Sequence, residues 1–223
     1  MSIKININDK SYEIPERLTV EQYAKAIQFD WNDPSYYPTI MKQLTGAPLS
    51  QLVKAPEEAK TLGMGFIIKS MNERTECDMI DLQSLTFGQW VDLDVYITGG
   101  LDQNFEKIVS ILTPGAKWAD EAMWAIDQYA QFRIYTYRQY SVLFGLDEKA
   151  EPDEDGKVDR LAVARGWYKI IAGLANMNVL QMDEVTAQPL KKILNFMALQ
   201  KEYQMEENER RLKEQRQKQR ARL

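Results

Sequence analysis

Isoleucines at positions 3, 5 and 7 alternate with polar residues, and the alternation resumes at Tyr12 and Ile14 after Asn8-Asp9-Lys10. A period of two broken by turn-forming residues predicts a β-hairpin. After Pro15 the pattern changes. In Leu18-Thr19-Val20-Glu21-Gln22-Tyr23, Thr19 and Gln22 have the spacing of a capping box and Leu18 with Tyr23 that of a hydrophobic staple, so a helix is expected to start there. The device returns 67 residues later as Leu85-Thr86-Phe87-Gly88-Gln89-Trp90. Downstream, Tyr37, Ile40, Met41, Leu44 and Thr45 match Phe105, Ile108, Val109, Leu112 and Thr113 at an offset of 68. Two strand-plus-helix modules are therefore expected, about 15 to 83 and 84 to 146, with Cys77, Met79 and Ile80 or Leu82 supplying the strand of the second. The competing reading is two unrelated helices with good caps.

The apolar pattern stops at 147 to 157, DEKAEPDEDGK, where six acids, a proline and a glycine leave nothing to bury; a solvated linker is expected. Beyond it Trp167, Ile170, Ile171 and Leu174 fall at i, i+3, i+4 and i+7, as do Leu190, Ile193, Leu194 and Met197. These predict two amphipathic helices with a turn at Asn176-Met177-Asn178. The second continues into EENERRLKEQRQKQRARL, rich in helix formers and poor in apolar positions. The fold class is mainly α with a short N-terminal β-hairpin (α+β). The expected organisation is 1–83, 84–146, a linker at 147–157, and a C-terminal helical hairpin over 158–223 ending in a long charged helix.

Charge adds an asymmetry to this picture. Arg210, Arg211, Lys213, Arg216, Lys218, Arg220 and Arg222 against Glu214 give the tail a local +6, which leaves −11 on residues 1–209 of a chain whose formal net charge is −5. Composition narrows the chemistry. With no histidine, the commonest general base, the commonest zinc ligand and every Ser-His or Cys-His pair are excluded. Cys77 is the single cysteine, so neither an intramolecular disulfide nor a thiolate zinc site can form. No glycine cluster has a phosphate-binding pattern, and Asp92 with Asp94, two apart, would lie on different faces of a helix. Neither a secretory signal nor the roughly 20 consecutive apolar residues of a membrane span is apparent, so secretion and membrane insertion are not expected. A non-enzyme with no cofactor and no metal is the expectation.

The stretch from Trp118 to Phe144 is dense in aromatics, and a helix there would bring tyrosines and arginines to one surface. Aromatic residues with arginine are typical of interface hot spots, which makes Tyr129, Arg133, Tyr137, Arg138 and Tyr140 the candidate protein-binding residues; core aromatics are the alternative. The basic tail suits nucleic acid, an acidic protein surface, or simply a solvated helix end.

A hairpin followed by LTVEQY, then LTFGQWVDLD, FEKIVSILTPG and GWYKIIAGLANMNVLQMDEV before a charged C-terminal helix resembles small helical proteins of the tail and baseplate genes of tailed bacteriophages. These are tail assembly chaperones or baseplate-hub assembly proteins. The resemblance spans most of residues 1–205 as a pattern of caps and apolar spacings and carries over no site residue. It implies a protein that binds other phage tail or structural proteins during morphogenesis, in the host cytoplasm or the virion. Alternatives are a permanent virion component and a nucleic-acid-binding accessory factor acting through the basic tail.

Overall fold

A computed structural model describes residues 3–7, 10–145 and 160–220. The acidic stretch 147–157, the turn residues Asn8 and Asp9, and Arg222 of the tail lie outside the described residues, as does the side chain of Arg220. The chain is mostly helical. At its start, β1 (Ile3–Ile7) and β2 (Lys10–Ile14) pair antiparallel, with Ile3 opposite Ile14 and Ile7 opposite Lys10.

The rest divides into two compact units that do not follow chain order. The first comprises Met1–Ile80 with Tyr96–Tyr129, the second Asp81–Val95 with Ala130–Leu223. In unit 1 lie α1 (Val20–Ala26), α2 (Tyr37–Thr45), α3 (Leu49–Lys54), α4 (Glu57–Asn72) and α6 (Leu101–Leu112). Unit 2 holds α8 (Ser141–Phe144), α9 (Arg160–Leu174), α10 (Val179–Thr186) and α11 (Leu190–Arg220). Two helices, α5 (Phe87–Thr98) and α7 (Ala119–Gln139), are divided between them.

Both capping boxes form. Gln22 N donates to Thr19 Oγ1 at 3.1 Å while Thr19 N donates to Gln22 Oε1 at 2.9 Å. Gln89 N and Thr86 Oγ1, 3.1 Å apart, and Thr86 N with Gln89 Oε1, 3.0 Å apart, repeat the arrangement. The staple residues Leu18, Tyr23, Leu85 and Trp90 are all buried.

Each box also sits beside the start of a second helix. In unit 1, Val20 N donates to Lys117 O at 3.1 Å and Ala119 N to Leu18 O at 2.8 Å, so the first turn of α1 and that of α7 are laced by a two-bond bridge. In unit 2, Phe87 N donates to Gln188 O and Leu190 N to Leu85 O, both at 2.8 Å, and the starts of α5 and α11 are laced the same way. These bonds occupy donors that helix N-termini otherwise leave to water.

The core of unit 1 follows the periodicity. Ile40, Met41 and Leu44 of α2 and Phe105, Ile108, Val109 and Leu112 of α6 are buried, and the Phe105 ring lies 4.7 Å from that of Tyr23. Gly63 in α4 packs so closely that an added Cβ would stand 2.8 Å from Met41 Cε.

Two expectations are corrected. The lead-in to the second box forms no strand: residues 73–81 carry no ladder, and their amides bond singly, Thr75 N to Asp120 O and Ile80 N to Leu112 O. With no neighbouring strand to pair, alternation alone cannot make one. The C-terminal region is also more than a two-helix hairpin, because α10 stands between α9 and α11. Its cap is Asn178, whose side chain accepts from Leu180 N at 3.1 Å. Val179 and Leu180 are exposed there, so α10 has no buried stripe for periodicity to reveal.

Candidate binding surface

Asp94 is the polar centre of unit 2. Phe87, Trp90, Val91 and Asp94 follow i, i+3, i+4 and i+7 on α5, which carries a carboxylate into the core on an otherwise apolar stripe. Asp94 is 3% exposed and accepts from three side chains: Arg133 Nε at 2.7 Å and Tyr137 Oη at 2.8 Å on Oδ1, and Trp167 Nε1 at 2.8 Å on Oδ2. Burial, and then the neighbouring Asp94 charge, push the Tyr137 phenol well above its ordinary range, so it stays a donor. Asp92 is exposed, on a different face as its spacing requires.

This geometry redistributes the aromatic candidates of α7 and the residue that follows it. Tyr129 is fully buried in unit 1, and Tyr140 is buried in unit 2 with its hydroxyl donating to Asn195 Oδ1 at 2.7 Å. Neither reaches the surface: Tyr129 lies on a buried face of α7, and Tyr140 follows the end of that helix as the residue preceding α8. Arg133 and Tyr137 are half-buried and committed to Asp94. Arg138 is exposed, with Ile134 and Tyr135 as its exposed neighbours. Sequence reasoning missed Asp94 as an organiser, although a carboxylate at i+7 of an apolar stripe was a usable signal.

Tyr137 and Trp167 do more than satisfy Asp94. They form one end of a groove of about 520 Å³ in unit 2, lined by α8, α9 and α11. Phe144, Val163, Ile170, Leu174 and Met197 make it apolar, Lys169 and Lys201 also line it, and no acidic residue lines it among the described residues. Both lysines are exposed, and neither has an ion pair among the described residues.

The basic tail continues α11. This helix has 31 residues, and every residue from 199 to 219 is exposed. Arg211 pairs with Glu207 at 2.7 Å and Lys213 with Glu209 at 3.9 Å, each one turn apart. Arg210, Arg216 and Lys218 are exposed without ion pairs among the described residues, and the solvated half also shows Leu199, Tyr203, Met205 and Leu212.

Unit 1 has its own buried carboxylate. Asp120 accepts from Arg17 Nη2 at 2.8 Å and from Thr75 Oγ1 at 2.5 Å. Burial raises its pKa, but the Thr75 and Arg17 hydrogen bonds together outweigh burial and hold it below the usual carboxylate range. A lowered folded-state pKa gives stability that is complete above the unfolded carboxylate range, about pH 4, and fades as pH falls through the folded value. Acid titration of Asp120→Asn should show a shallower loss of unit 1 stability below about pH 4 than the parent chain, measured by urea midpoints at each pH.

Among the described residues no helix is long and apolar enough to cross a membrane, and no group of three or more Cys, Asp or Glu is placed to hold a metal ion. No family model matches the chain, and neither a curated protein nor a solved structure matches it.

Proposed function

We propose that this chain is a non-catalytic binding protein that acts in assembly, with the tail or baseplate of a tailed bacteriophage as the setting its sequence resemblance implies. The observation that carries the reading is the solvated half of α11. In proteins most helical stability comes from tertiary packing of an apolar face. Residues 199–219 are all exposed, and among them Tyr203, Met205 and Leu212 stand between acidic and basic clusters. Such a helix suits docking onto other chains.

An internal repeat belongs to the same reading. What supports it is the matched pair of boxes, each laced to a second helix start, and the shared burial of α2 and α6. A further likeness runs from α6 to α9, where FEKIVSIL at 105–112 is echoed by WYKIIAGL at 167–174. Repeated units of this kind present similar surfaces at intervals, which fits a protein working by contact.

The test is co-purification with the co-encoded tail proteins. Deleting 205–223 should remove a partner that the full chain retains, with an affinity loss of about a hundredfold or more. Retention of every partner by the truncated chain rejects α11 as the docking element. Mass spectrometry of purified particles separates a transient chaperone, absent or substoichiometric, from a permanent virion component.

A second reading is favoured by Arg210, Arg216 and Lys218, exposed and without ion pairs among the described residues: contact with nucleic acid through the tail. It requires binding that weakens steeply with salt and disappears with the same deletion.

A further inference from the structure

The most exposed large apolar side chains in the described residues cluster at the turn into α10. Met177 and Leu180 are each 82% exposed and Val179 is 68% exposed. Backbone geometry holds them out. Helix α9 ends in a Schellman motif, with Met177 N bonded to Ala172 O at 2.7 Å, Asn176 N to Gly173 O at 3.1 Å, and Asn176 left-handed at φ 50°. Met177 is left-handed as well, at φ 59°, a conformation that residues with a Cβ rarely adopt. Leu180, Asp183 and Glu184 then fall at i, i+3 and i+4, so an acidic pair lies one turn beyond the apolar tip. Asp183 and Glu184 are exposed and take no part in ion pairs among the described residues.

The groove of unit 2 is the complement of this knob. Its apolar lining is adaptable at Met197, and it includes the exposed Lys169 and Lys201, opposite in charge to Asp183 and Glu184 of the knob. Gly166 and Gly173, two turns apart on α9, line the groove, and a Cβ added at either would meet nothing within 4 Å. Both positions therefore leave space for an incoming side chain.

We propose that the chain associates with a second copy of itself, the α10 knob of one copy seated in the α8–α9–α11 groove of the other. Apolar surface is matched to apolar surface and each acidic pair to two lysines. The knob and groove are separate patches, so the contact closes as a two-fold pair or propagates head to tail.

Light scattering coupled to gel filtration of the full chain, loaded across roughly 5 to 200 μM, reads the association directly, since a 1 μM to 1 mM dissociation constant corresponds to about 8 to 4 kcal/mol. The expected mass is at least twice 25.9 kDa at the upper end. Leu180→Asp changes a side chain with almost no intramolecular contact, and Gly173→Leu fills the groove while improving helix propensity, so both should keep the helical circular dichroism of the parent. Each alone should weaken association about tenfold or more, and an equimolar mixture of the two should recover a hetero-pair through the one remaining intact knob and groove. Lys169→Glu with Lys201→Glu should also dissociate the copies, and adding Asp183→Lys with Glu184→Lys should restore them. A parent chain of monomer mass at every concentration overturns the proposal, including one whose groove instead captures a tail protein. An oligomer indifferent to Leu180→Asp and Gly173→Leu overturns it too.

Discussion

Asp94→Ala should cost unit 2 about 3–5 kcal/mol, the range for removing one partner of a buried ion pair. Three donors converge on this carboxylate from positions 133, 137 and 167, and the substitution removes the Asp94 acceptor from all three at once. The Trp167 indole N–H is the most sensitive, since its bond to Asp94 is buried. Asp94→Asn retains the shape and one acceptor oxygen while removing the charge, so its cost should be smaller, about 1.5–3 kcal/mol. Urea unfolding followed by tryptophan emission should rank parent, Asn and Ala in that order. An Ala variant within about 0.5 kcal/mol of the parent would remove Asp94 as the organiser of this core.

In unit 1 the largest expected loss is at Phe105. The side chain is 1% exposed and packs on the Tyr23 ring, so Phe105→Ala should destabilise by about 3–5 kcal/mol through lost burial and the cavity left behind. Phe105→Leu keeps most of the volume and should cost about 1.5 kcal/mol or less. Chemical denaturation distinguishes these outcomes, and equal losses for Leu and Ala would mean that shape rather than volume governs the site.

Local signals translated well from the sequence. Thr19 with Gln22 and Thr86 with Gln89 need only their own turn of helix, and both boxes form as their spacing predicts. The continuous charged helix was legible for the same reason. What failed depended on distant partners. Residues 73–81 have strand-like alternation, but a strand exists only when another strand pairs with it. Tyr129 and Tyr140 lie on the aromatic run without any local sign of which side faces the core. The Asp94 hub joins groups 39, 43 and 73 residues away, which no window of helical length can contain. The turn at Asn176-Met177-Asn178 was legible, but that Val179 and Leu180 continue it as an exposed apolar tip was not, since apolar residues are usually buried.

The division of the chain bears on how it is made. Unit 1 begins at the N-terminus yet needs Tyr96–Tyr129, which a ribosome adds only after threading through the first segment of unit 2. At about 5–20 residues per second, the 49 residues between Ile80 and Tyr129 take roughly 2.5–10 s to synthesise. For the first part of that delay α1 lacks α6, and until Tyr129 is added unit 1 lacks the first half of α7, so the nascent polypeptide is sticky for seconds before its first half can close. Synonymous codons that slow translation across 81–129 should lengthen this window and lower soluble yield.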